Sequence, residues 1–93
     1  MADADTEAIN AAEALLRNIP EYDWLTKGGL QWWTIPQLAE HLPLGEAAIR
    51  ARIREFPGAQ DYGEKIGYRI PRSGVILYLA RILVEQQRHQ DAG

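Results

Sequence analysis

Apolar residues recur along this chain at the spacing of helices, interrupted by proline and glycine. Over 6–18, Ile9, Ala12, Leu15, Leu16 and Ile19 follow helical spacing in an alanine-rich segment, with Glu13 four residues before Arg17. That pattern predicts a short amphipathic helix stopped before Pro20. A helix of this length is marginal alone in water, so it must dock on the rest of the domain or on another chain. An irregular stretch follows, holding Gly28-Gly29 and all three tryptophans, Trp24, Trp32 and Trp33. Thr34-Ile35-Pro36-Gln37 then reads as a helix start: a threonine cap, a proline in the first turn, and a glutamine placed to complete a capping box. The helix is predicted over 35–42, burying Ile35, Leu38, Ala39 and Leu42, and Pro43-Leu44-Gly45 ends it. A second helix is predicted over 46–56, with Ile49, Ile53 and Phe56 on one stripe, before Pro57-Gly58. Two short helices about a three-residue turn form a helix-turn-helix.

Beyond Gly58 the period changes. Two short runs, 60–62 and 66–70, flank Gly63-Glu64-Lys65 and predict a small β-hairpin. Ser73 is placed to cap a last helix over 74–87, in which Val75 to Ala80 and Ile82 to Val84 are apolar on nearly every face. A helix apolar all round is covered on more than one side, here by the N-terminal helix or by a second subunit. The expectation is a mainly α fold with a small β-hairpin. It divides into an acidic N-terminal helix and Trp/Gly-containing linker (1–31), a helix-turn-helix unit with its hairpin (32–84), and a polar tail (85–93) expected to fray.

Composition narrows the chemistry. At 93 residues, 46% hydrophobic and 25% charged, the chain has the balance of one small globular domain with little interior for an enclosed active site. It has no cysteine, which excludes disulfides, thiolate nucleophiles and cysteine-ligated metals, and two histidines, His41 and His89, cannot build a structural metal site alone. His41 reads as a surface or boundary residue. No run approaches the roughly 18 apolar residues of a membrane span, and the acidic start MADADTEAIN lacks the positive charge of a signal peptide. The expected location is the cytoplasm. No Ser/His/Asp set, phosphate-cradling glycine loop or metal spacing stands out, so neither an enzyme nor a cofactor is expected.

The net charge of −3 conceals a polarity. Residues 1–46 carry two cations against eight carboxylates, −6, whereas residues 47–93 carry eight cations against five carboxylates, +3. An acidic arm beside a basic face is a reason to look for a nucleic-acid partner.

The stretch WWTIPQLAEHLPLGEAAIRARIREF, followed by GYRIPRSGVILYLAR, resembles the excisionase-type and MerR-like winged helix-turn-helix domains over roughly residues 32–84. The most discriminating part is Tyr68-Arg69-Ile70-Pro71-Arg72. Pro43 stands where such domains usually have glycine and Gly45 where they have serine or threonine, Glu46 and Ala47 occupy positions that often carry polar or basic contacts, and the longer gap between Pro57 and Pro71 implies a longer wing. The resemblance implies a winged helix-turn-helix with an extra N-terminal helix, binding double-stranded DNA sequence-specifically in bacterial or phage transcription regulation or DNA recombination.

The residues point the same way. With Ile49 at the centre of the buried face, Ala47, Arg50, Ala51 and Arg54 fall on the opposite side of the second helix. Arginine can read guanine bidentately in a major groove, and Ala47 or Ala51 could meet a thymine methyl. Arg52 lies nearer the buried side and is expected to pair with a carboxylate or reach a phosphate from the flank. Lys65 at the hairpin turn and Arg69 and Arg72 beyond it are placed to meet phosphates or a minor groove, and Thr34 at its helix start adds a candidate phosphate contact. The tryptophans read first as packing, with Trp32 the most exposed of them.

One such module makes few contacts, so a homodimer or a cooperative array on repeated half-sites is expected, through the N-terminal helix or the apolar last helix. The alternative is a winged-helix protein-interaction module acting through its acidic N-terminal arm, which the pI of 5.3 and Glu46 favour.

Overall fold

The computed structural model describes residues 2–92, with side chains from Thr6 to Arg88. Alanine-rich α1 (Ala2–Arg17) begins one turn before the expected start and ends as Pro20 forces Ile19 into extended backbone (φ −115°, ψ 106°). A 3₁₀ turn (Pro20–Tyr22) and the single-turn α2 (Asp23–Thr26) follow, and α2 buries Leu25 and Thr26, whose hydroxyl donates to the Tyr22 carbonyl at 3.2 Å. Next come β1 (Trp32–Trp33), α3 (Ile35–His41), α4 (Glu46–Ala51), a second 3₁₀ turn (Ile53–Glu55), β2 (Gln60–Asp61), β3 (Tyr68–Pro71) and the long α5 (Arg72–Ala92). The domain is mainly helical with a small antiparallel sheet.

The α3 start takes the form expected. Thr34 Oγ1 accepts from the Gln37 N–H at 3.2 Å, and the Thr34 N–H donates to Gln37 Oε1 at 2.9 Å, so two backbone donors at the helix end are satisfied reciprocally. Thr34→Ala should therefore cost about 1 kcal/mol of unfolding free energy in urea titration.

The α4 segment is shorter than 46–56. Its α turns stop at Ala51, and 3₁₀ geometry carries the chain to Glu55. Gly45 supplies no side-chain cap at its start, and Pro57 excludes Phe56 from helical backbone (φ −98°, ψ 102°) at its end. The tightened last turn puts Phe56 into the core, stacked on Tyr78 at 4.1 Å between ring centroids.

The sheet has three strands rather than a hairpin's two, in the order β1-β3-β2. Trp32 lies opposite Pro71 and Trp33 opposite Ile70, while Gln60 lies opposite Arg69 and Asp61 opposite Tyr68. Successive strand residues face opposite sides, so Trp33 and Ile70 enter the core while Trp32 is turned outward. Gly29 lets the chain fold back onto the tryptophans: at φ +98°, a Cβ there would lie 2.5 Å from the Trp24 carbonyl oxygen and 3.3 Å from the Trp33 ring.

Leu16 of α1, Leu25, Leu38, Ile49, Phe56, Ile70, Val75 and Ile76 are fully buried in one shared core. The segment before residue 32 is therefore part of the domain's interior, and α1 supplies a second cover for α5. Two boundaries at α5 differ from expectation. Ser73 lies inside the helix, which begins at Arg72, and the segment from Glu85, expected to fray, continues the helix to Ala92. Among the described residues no helix is long and apolar enough to cross a membrane.

Candidate nucleic-acid interface

Helix α4 is fixed from below by Ile49 and exposes Ala47, Arg50 and Ala51; Arg54, in the 3₁₀ turn that follows, is exposed as well. Arg50 lines a cleft with Asp61, Gly63, Glu64, Gly67 and Tyr68, and Arg54 borders an adjoining one with Asp61, Tyr68 and Ala59. The two arginines thus meet the base of the β2–β3 loop from neighbouring positions. This is the part of the expected site that the fold assembles.

The loop carries its own order. Asp61 Oδ1 accepts from the Gly63 N–H at 2.9 Å, the Tyr62 N–H donates to the Gly67 carbonyl at 3.0 Å, and Gly63 and Gly67 take positive φ (+96° and +80°). Lys65 is exposed in this turn.

The remaining expected residues are placed elsewhere. Arg69 projects from the opposite side of β3, in a groove with Trp32, Tyr62 and Ile66, and its Nη1 donates to the Ile66 and Tyr68 carbonyls at 3.3 and 3.4 Å. Arg72 is turned inward: its Nη2 meets Glu13 Oε1 at 2.8 Å and its Nε donates to the Leu25 carbonyl at 3.1 Å. Its guanidinium fastens α1 and α2 to the start of α5, whereas the expectation from sequence directs it to phosphates or a minor groove. The Arg72 hydrogen bond, the largest influence, holds the Glu13 carboxyl below its usual pKa, with Arg17 adding to the effect. Thr34 is likewise occupied, its oxygen holding the Gln37 amide.

Arg52, expected to find a carboxylate or a phosphate, instead acts on the Tyr78 hydroxyl, an interaction that raises its pKa, with Glu55 a minor contributor. Among the described residues the buried Tyr78 oxygen finds no partner at strict hydrogen-bond geometry. His41 is exposed and stacks on Trp24 at 4.5 Å, with Trp33 edge-on to both rings.

Sequence reasoning missed two features. Asp61 and Glu64 stand beside Arg50, because the loop folds toward α4. Tyr62 and Ile66 gather around Trp32, because β1 joins the sheet. Period-two alternation would have separated Asp61 from Gln60, but no local signal shows which side faces α4. No protein-family model matches this chain, and neither does any curated protein or solved structure.

Proposed function

We propose that the chain is a winged helix-turn-helix domain of the excisionase-type and MerR-like kind that binds double-stranded DNA. It lays α4 and its 3₁₀ extension in a major groove and sets the 60–70 wing against the backbone. The observation that carries this reading is the convergence of Arg50 and Arg54 with the β2–β3 loop on one exposed surface, beneath a strand–helix–helix–strand–strand order in which β3 lies between β1 and β2. Arg50 and Arg54 read base edges, Ala47 and Ala51 allow close approach, and Lys65 holds a phosphate. With so few contacts per copy, two or more copies occupy repeated half-sites, acting as a repressor, an activator or a recombination accessory factor.

Asp61 and Glu64 beside Arg50 favour a second reading, a protein-interaction module. The version that relies on a free acidic arm is weakened because α1 is docked and Glu13 is taken by Arg72. Fluorescence polarisation with a random duplex pool at two salt concentrations separates the two. DNA binding gives an affinity that falls steeply with salt, a slope shallower by about 1 after Lys65→Ala, and a roughly tenfold loss on the preferred site after Arg50→Ala. Absence of salt-dependent binding to every duplex leaves the protein-interaction reading.

A further inference from the structure

We propose that the outer face of the sheet, formed by Trp32, Tyr62, Ile66 and Arg69, is a second nucleic-acid site that takes unpaired nucleotides of a single strand by stacking. The proposal goes beyond duplex recognition by α4 and does not depend on it.

Three of the six large apolar side chains exposed among the described residues, and the three most exposed of them, meet on that face. Trp32 is 48% exposed, Tyr62 50% and Ile66 57%, and the three line one groove with Arg69. Trp32 is opposite Pro71 and Gln60 is opposite Arg69, which puts Trp32 and Arg69 on the side away from Trp33 and Ile70, and Tyr62 and Ile66 reach the same groove from the β2–β3 loop. Among the described residues no helix contributes to the lining of this groove, whereas the other side of the sheet carries the core. An apolar cluster of this kind, held on a sheet and rimmed by a cation, marks a binding surface.

Charge decides the partner. The carboxylates of the wing, Asp61 and Glu64, line the Arg50 cleft, while the Trp32 groove has a guanidinium and no carboxylate among its lining residues. Among the described residues Arg69 has no ion-pair partner; its contacts are the two long bonds to carbonyls, which leave its charge uncompensated. Aromatic planes beside an uncompensated cation suit a ligand with flat π faces on an anionic backbone, which is an unpaired nucleic-acid strand. A duplex keeps its base faces inside the stack and cannot offer them. The surface is also set in advance: the Tyr62 hydroxyl donates to Gln60 Oε1 at 2.6 Å, and the loop bonds through Asp61 and Gly67 hold its backbone, so little order is lost on binding.

The test uses the full chain, a labelled oligothymidylate of about eight nucleotides, an abasic strand of equal length, and a duplex. The expected result is binding of the oligothymidylate with quenching of tryptophan fluorescence, weakened about tenfold or more by Trp32→Ala and largely restored by Trp32→Phe. Tyr62→Ala and Ile66→Ala, on the exposed loop, should weaken it as well and guard against a folding defect in the Trp32 variant. Arg50→Ala should leave single-strand binding unchanged, and Trp32→Ala should leave duplex binding unchanged, so failure of duplex recognition is distinguishable from failure here. Equal affinity for the abasic strand would reduce the site to charge alone and overturn the proposal. So would no binding of either strand, which would assign the face to a protein partner.

Discussion

Gly74→Ala should destabilise this domain by about 3 kcal/mol and lower its melting temperature by roughly 10 to 20 °C. The sign is the opposite of the usual one, since replacing glycine by alanine inside a helix ordinarily gains about 1 kcal/mol. Gly74 is buried near the start of α5, where the helix passes against the Pro57 backbone: a Cβ there would lie 2.1 Å from the Pro57 carbonyl oxygen and 3.2 Å from its carbon. Backbone does not yield as a side-chain tip does. Phe56 on one side is locked in the core, and Gly58 on the other, at φ +82°, sits under the Pro71 ring with 2.9 Å from its own ideal Cβ to that ring. The clash must then move α5 relative to the helix-turn-helix. Thermal unfolding followed by circular dichroism checks this; an unchanged or higher midpoint would mean that α5 and Pro57 are not apposed.

Arg72→Met should cost about 2 to 4 kcal/mol while leaving the salt slope of duplex binding unchanged. The side chains keep 21% and 15% of their exposure at Arg72 and Glu13, so the pair lies between a surface ion pair of 0–1 kcal/mol and a buried one whose loss costs about 3–5 kcal/mol. The Leu25 carbonyl loses its donor at the same time. The pH dependence carries a signature. Because the folded Glu13 carboxyl titrates below its unfolded value near 4.5, the pair's stability is complete above that pH and is lost as pH falls through the folded pKa. Wild type should therefore show an acid-side loss in urea-derived stability that Arg72→Met lacks. A variant of normal stability with weakened duplex affinity would return Arg72 to the DNA-facing set.

Several features with purely local reasons follow the sequence closely, although α4 stops at Ala51 and Ser73 lies inside α5 rather than capping it. The Thr34-Gln37 capping box lies within four residues, and both of its bonds form as expected. The buried stripes of α3 and α4, through Leu38 and Ile49, follow from helical period alone, as does the exposure of Arg50 beside Ala47 and Ala51. Trp32 outside and Trp33 inside follow from adjacency, since neighbours on an extended chain cannot both face inward. Where two distant segments meet, local order carries no signal of the contact. The pairing of β1 with β3 joins Trp33 to Ile70 across the whole helix-turn-helix, and two residues are too short a strand to announce themselves.

Composition, period and caps by themselves determined a small, mainly helical domain with two short consecutive helices, a small antiparallel strand pair, an exposed arginine on α4 and an acidic front half. Tertiary structure alone decided that α1 is part of the core, that Arg72 faces Glu13, that Asp61 and Glu64 stand by Arg50, and that Arg69 lies with Trp32 on the other side of the sheet. The physical reason is a difference in range. Backbone hydrogen bonding and helical period act within a few residues and are written in the local order, whereas the direction of a cation depends on which carboxylate or carbonyl the packed chain brings within about 3 Å of it.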